Sequence, residues 1–399
     1  PDDPGKQSEH SALLELAPHQ DATHVAVRNG SWFDPNTWKD NVVPQNNARV
    51  LIPDGVTVDY DGVSEADLFT LRVDGQLDFA TDQTTKMVID TFIVAPEGKI
   101  TIGTEDNPVQ SDVEARIVIA DNGAINKRWD PQQLSRGLIS HGEVEIHGQE
   151  KTTHLKLSQD AMAGDSQLEL AQVPTNWDVG DRLVLTGTRF LPNQGNGPRE
   201  TQDEELTIKA INGNTITLEE SLRYDHNSPK EDLKASVANY SRNVVIETEN
   251  ANKVPVAQRG HVMFMHSDSV DVRYAEFHEL GRTDKSRPLD DFRLDSEGDR
   301  ILDRQGNPIK TSPDRITNQR GRYAVHFHRT GVNGEDSEPA IAMGNSIWGS
   351  PGWGYVHHDC YVILDNNAAY DVLGAAFMSE TGNEIGAWRN NIAIKSEGA

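Results

Sequence analysis

The sequence predicts an all-β chain: a right-handed parallel β-helix preceded by a turn-rich β domain, with a small β-barrel or sandwich inserted between them. Three observations carry this. Short runs rich in Val, Ile and Thr alternate apolar and polar residues, and long helical periodicity is almost absent. Punctuation is dense, with 32 Gly and 19 Pro in 399 residues, which suits many short strands joined by turns. From Arg242 onward the runs return regularly, and asparagines follow them at Asn345, Asn366-Asn367 and Asn390-Asn391. Asparagines stacked at corners would satisfy the backbone groups of successive coils.

Taken in order, residues 1–23 are polar around a short apolar run at Leu13–Leu16 and read as an arm with one helical turn. The start at Pro1-Asp2-Asp3-Pro4 and the end just after a strand-like run suggest a piece of a longer chain. Residues 24–147 alternate strands with tight turns, as at Asp54-Gly55, Asp61-Gly62 and Asp74-Gly75. Such turns supply the positive φ that reversals need. Residues 148–241 hold short strands at Asp165–Leu170, Asp181–Thr186, Glu205–Ile211 and Thr215–Leu218, with a hairpin signal at Asn212-Gly213-Asn214. Residues 242–399 form the parallel β-helix, interrupted by a polar loop over 282–320.

Composition narrows function. A formal charge of −26 sets the chain against nucleic acid and anionic membranes. The single cysteine, Cys360, excludes an intrachain disulfide and fits a bacterial exported protein. No stretch of about 18 apolar residues is present, so no membrane span is expected.

Several segments then carry a resemblance. Ser31-Trp32-Phe33-Asp34-Pro35-Asn36-Thr37-Trp38, followed by Val43-Pro44 and Ile52-Pro53-Asp54-Gly55-Val56, resembles the eight-glycine domain. That domain occurs in cell-surface hyaluronidases, the cell-migration-inducing hyaluronan-binding protein and fibrocystin. Trp177–Leu185 and Gly213–Leu218 are similar to the middle segment of those proteins. Arg259–His266, Tyr323–His328 and Gly374–Gly382 resemble their β-helix. The resemblance covers about residues 24–395. It implies an eight-glycine domain leading into a pectate-lyase-like β-helix in a secreted or cell-surface protein. It also implies hyaluronan-type depolymerisation and a calcium dependence.

The residues themselves point to one wall of the helix. Seven of the fourteen histidines lie between 261 and 358. Aligning successive coils by their apolar residues places Met265, Phe327, Val356 and Met378 inward. The next residues, His266, His328, His357 and Ser379, then face outward, and His326 shares the face of His328 about 7 Å along the strand. Coils lie about 4.8 Å apart, so these imidazoles would cluster beside Glu380. Such a set could hold a divalent metal, with His266, His328 and His357 as ligands. Equally, His326, His328, His357 and Glu380 could act as general acids and bases. Arg322 and Arg329 could bind a uronate carboxylate, and Trp353 and Tyr355 could stack on sugar rings. The acidic loop Asp290-Asp291, Asp295, Glu297, Asp299 offers oxygen ligands for calcium without the spacing of an EF-hand. No organic cofactor is expected.

The expected function is an extracellular enzyme that degrades a glycosaminoglycan-like or uronate-containing polysaccharide, as hydrolase or lyase. The competing reading is a non-catalytic surface module that binds glycan along the same wall, the histidines being an inert stack.

Overall fold

The computed structural model describes residues 11–191, 201–267, 269–331 and 338–398. The chain is a parallel β-helix with three walls. Each complete coil contributes one strand to each wall, and each strand pairs in parallel with its counterparts in the coils before and after it. One coil runs His261–Met265, Val270–Arg273, Ala275–His278; the next runs Val325–His328, Ala340–Met343, Ser346–Ser350. Walls one, two and three are named here in that order. Tyr355–His358, Tyr361–Asp365 and Ala368–Leu373 follow, then Phe377–Ser379, Ile385–Arg389 and Ile392–Glu397.

The turn-rich segment at 24–147, assigned above to a domain of its own though its strand spacing is that of β-solenoid turns, is the first part of the same solenoid. Gly137–Ser140 pairs with His261–Met265 on wall one, and Glu143–His147 pairs with Val270–Arg273 on wall two. One apolar core runs from Ala26 to Ala376. The boundary near 242 therefore marks a change of sequence rhythm and not a change of core.

Corner residues explain why these segments stack. A Cβ on Gly98 would lie 2.1 Å from the Val73 carbonyl oxygen, and one on Gly142 would lie 2.1 Å from the Gly98 carbonyl oxygen. Backbone meets backbone at this corner in successive coils, so only glycine fits. At the corner between walls two and three the asparagines form a ladder. The Asn345 backbone N–H and Nδ2 both donate to Asn367 Oδ1 at 3.0 Å, and Asn367 repeats the pattern onto Asn391 Oδ1.

Between wall two and wall three of one coil the chain leaves the solenoid. Strands His154–Lys156, Ser236–Asn239, Arg182–Leu185, Glu204–Asn212, Thr215–Leu218 and Gln167–Glu169 pair antiparallel in that order. A Leu157–Leu170 bridge joins the two ends into a small barrel. Its core holds Leu168, Leu183, Ile208, Ile216 and Val237, and the hairpin expected at 212–214 turns through Gly213-Asn214. Val184, Ala238 and Tyr240 pack this barrel onto Ala368, Tyr370 and Ile394 of wall three. Wall one is left clear of it.

The arm at the start is helical over residues 11–14. Leu13 and Leu16 bury against Ile93, Ile139, Met263 and Met265, so the outer face of the early coils of wall one is capped. Among the described residues no helix is long and apolar enough to cross a membrane.

Candidate functional site

Strand registers place the site on the outer face of wall one, just beyond the capped coils. Val262, Val325, Tyr355 and Phe377 form one column, and Phe264, Phe327, His357 and Ser379 another. Phe264, Phe327 and Tyr355 belong to the core, so both columns face inward. The alternate residues therefore face outward: His326 beside Val356, and His328 beside His358.

Three imidazoles converge there. One ligand atom from each of His326, His328 and His358 can be chosen so that all lie within 4.8 Å of one another. The ring centroids of His326 and His328 are 5.2 Å apart, and those of His328 and His358 are 4.7 Å apart. His328 Nδ1 is 3.3 Å from His358 Nδ1, and His358 Nδ1 is 3.2 Å from Glu380 Oε2. His326 is only 2% exposed. Its Nδ1 lies 2.9 Å from the Gly321 carbonyl oxygen. A carbonyl only accepts, so Nδ1 carries the proton and Nε2 presents its lone pair. That buried Nε2 has no hydrogen-bond partner. Burial first, then the neighbouring His328, holds His326 well below the usual imidazole range, so the ring is neutral at neutral pH.

The loop over 282–320 supplies the surroundings. Tyr323 meets the His326 ring edge-on at 5.3 Å and stacks on Trp353 at 5.0 Å. Lys285 Nζ sits 3.5 Å over the Trp353 ring. Burial lowers Lys285 from its ordinary value, and Glu380 opposes that shift. The Arg320 guanidinium pairs with Asp291 and also feels the Glu380 charge. A half-buried aromatic and cationic platform thus adjoins the histidine–carboxylate group.

The expected residues divide accordingly. His326, His328 and Glu380 are brought together. His357 is not among them: it is 3% exposed, faces the core, and its Nε2 donates to the Cys360 carbonyl at 2.8 Å. Its neighbour His358 takes the outer position. His266 lies at a corner with φ 56, stacked on His141 at 5.9 Å and edge-on to His328 at 5.6 Å, so it adjoins the convergent trio without belonging to it. Tyr355 is fully buried in the core and cannot meet a sugar. Arg322 is 7% exposed, and its guanidinium donates to the carbonyls of Gln133, Gln132 and Arg320, so it braces the wall from within. Arg329 remains at the rim, 3.5 Å from Asp359. Trp353 keeps its place beside the site. Sequence reasoning passed over Lys285, Arg320 and Tyr323; the only signal was their position at either end of the loop that enters wall one.

The acidic loop does not gather its carboxylates. Asp290 accepts from the backbone of Thr317 and Asn318, Asp291 pairs with Arg320, and Asp295 accepts from the Glu297 and Asp299 N–H groups. Their lone pairs are engaged locally, and nothing there fits a calcium cage. Cys360 is buried with its thiol pushed up to about 12, chiefly by burial, which leaves it inert as a nucleophile.

Comparison with known proteins agrees with this architecture. The G8 domain model matches residues 37–158, and the CEMIP beta-helix model matches residues 316–398, which include the three histidines. A G8 domain and a CEMIP-type β-helix are thus both recognised within this chain. A G8 domain-containing protein of Dictyostelium discoideum is 24% identical over 94% of this chain and 24% of its own length. Communication mutant protein F of the same organism is 23% identical over 89% of this chain and 28% of its own. Human fibrocystin-L is 24% identical over 89% of this chain but 8% of its own. The chain spans about a quarter of the length of these Dictyostelium relatives. The gp54 tailspike of Acinetobacter baumannii bacteriophage AP22, solved in complex with a capsular saccharide, covers 84% of this chain and 45% of its own. At 8% identity and a TM-score of 0.20 that similarity is too slight to bear on function.

Proposed function

We propose that this chain is the catalytic part of an extracellular enzyme that cleaves a uronate-containing, glycosaminoglycan-like polysaccharide bound across wall one. The observation that carries the reading is the unpartnered, neutral His326 Nε2 held within a histidine–Glu380 group beside an aromatic–cation platform. The resemblance of the β-helix to that of hyaluronan-depolymerising proteins supports it.

Each part has a chemical task. A neutral imidazole can take a proton, whether from an attacking water or from the carbon beside a uronate carboxyl. The His358–Glu380 pair can carry the proton that the departing sugar oxygen needs. Trp353 offers a ring face to a sugar, and Lys285 and Arg320 match the carboxylates of an acidic chain. The net charge of −26 does not forbid such a substrate, since screening acts over about 8 Å at physiological salt.

The test is incubation with a panel of acidic polysaccharides, following chain length and the absorbance of unsaturated ends. Cleavage that disappears in a folded His328→Ala variant is expected. Absorbance with cleavage identifies a lyase, and cleavage without it a hydrolase. Binding of a glycan with no shortening of any chain would replace this reading with a non-catalytic surface module.

A further inference from the structure

We propose that His326, His328 and His358 form a binding site for a transition-metal ion of the zinc class. As the cofactor of the glycan-cleaving site, the ion rests on the function proposed above, and there it would occupy the His326 Nε2 lone pair and would itself, in place of that imidazole, activate the attacking water; as a bound ion, it stands on geometry alone.

The argument is a count of protons against lone pairs. His326 spends its one N–H on the Gly321 carbonyl, leaving Nε2 bare in a 98% buried ring, since 2% is exposed. His328 Nδ1 and His358 Nδ1 face each other at 3.3 Å and can share one proton at most. Glu380 Oε2, 3.2 Å from His358 Nδ1, is also buried and accepts no hydrogen bond. Two buried acceptors, His326 Nε2 and Glu380 Oε2, thus lack a donor in a group whose three imidazoles each bring a ligand atom within 4.8 Å of the others. Unpaired buried acceptors are costly, and a positive centre between them removes the cost.

The spacing suits a metal. Zinc–imidazole bonds of about 2.0–2.1 Å in a tetrahedron put ligand nitrogens about 3.3–3.4 Å apart. The His328–His358 separation of 3.3 Å falls on that edge length. Neutral imidazoles select zinc and its neighbours, whereas calcium takes oxygen. Glu380 supplies a negative charge next to the ion, and the Gly321 carbonyl fixes the His326 tautomer from behind, as outer partners of metal-bound histidines do. Wall one supplies rigidity, because the ligands sit on adjacent strands of paired coils.

The experiment needs no glycan. The protein is stripped with chelator, dialysed against zinc sulfate and assayed for zinc by mass spectrometry, with cobalt(II) absorbance as a second probe of coordination. The wild type should hold about one ion per chain and give the intense visible bands of tetrahedral cobalt. His326→Ala and His358→Ala should each weaken zinc binding about 10–100-fold or more. His24→Ala, at a partly exposed histidine on the first coil, should bind as the wild type does. Circular dichroism and melting in chelator establish that the variants fold; because His358 is partly exposed, that variant keeps the test alive if His326→Ala does not fold. Wild-type protein that takes up no zinc, or zinc uptake equal in both ligand variants and wild type, overturns the site. Zinc uptake without cleavage of any polysaccharide would instead refute the proposed function and leave the metal site standing.

Discussion

Two adjacent histidines should behave as opposites. His357 points into the solenoid and His358 out of it, so His357→Ala and His358→Ala probe the strand register directly. Removing His357 takes from the Cys360 carbonyl one of its two donors, the Ile385 N–H remaining at 3.0 Å, and opens space beside Phe327. The lost hydrogen bond costs about 0.5–1.5 kcal/mol, and the cavity adds to that, so a loss of about 2–3 kcal/mol is expected. Removing His358 breaks a contact to Glu380 at side-chain exposures of 24% and 20%, worth about 1 kcal/mol or less. For turnover the order reverses. Loss of a positioned acid or base should lower polysaccharide cleavage about 10²–10⁴-fold in His358→Ala, while folded His357→Ala should cleave as the wild type does. Guanidinium titration followed by tryptophan fluorescence gives stability, and initial cleavage rate with zinc retention gives the site. An active, undisturbed His358→Ala together with a stable but inactive His357→Ala would show that the two faces are the wrong way round.

Three further outcomes follow from the fold and its buried groups. Asn367→Ala removes a fully buried ladder residue that donates to the Ala342 carbonyl at 2.9 Å and accepts from Asn345, so it should cost about 3–5 kcal/mol, well above Asn391→Ala at the half-buried end of the ladder, both read by denaturant titration. Gly98→Ala drives a Cβ into the Val73 carbonyl and should cost about 3 kcal/mol or more, read as a lower yield of folded protein and an earlier melt. His261 is fully buried, and burial followed by Arg282 and Arg322 holds it well below 6.5. The unfolded chain then binds the extra proton, so stability should rise with pH up to about 6.5 and fall below it by about 1.4 kcal/mol per pH unit for this group, and His261→Gln should flatten that slope in melts between pH 4.5 and 7.

The coil-forming features could be read from the sequence because each is local or strictly periodic. Asn345, Asn367 and Asn391 declare a repeating corner, since an asparagine is worth placing at the same turn of successive coils only if those turns stack. The barrel's strands announce themselves through alternation, as at Thr215–Leu218, and through the Gly213-Asn214 turn. The spacing of the early strands could be read as solenoid turns, but which early coil pairs with which late one could not. Glu143–His147 and Val270–Arg273 are neighbours in space, but the intervening barrel hides their pairing from any sequence period.

The register of the candidate histidine cluster was legible to within one residue, and the reason for the slip is physical. Alternation assigns a face only if the apolar residues of a strand all mark the same side. His261–Met265 breaks that condition. Phe264 lies in the solenoid core, while Met263 and Met265 face outward and are buried only because Leu13 and Leu16 lie over them. Reading Met265 and Val356, both buried yet facing outward, as interior shifted those two strands by one against Phe327, and a shift of one exchanges the inside and outside residues of a strand. His357 was thereby exchanged for His358 and Tyr355 was turned toward solvent, whereas His326 and His328 survived because two histidines flank Phe327. The same cap explains why the histidine group begins where it does. Coils that lie under the arm can afford methionine on their outer face; the first coil clear of it carries His326 and His328, so the arm sets one edge of any groove that a polysaccharide could occupy.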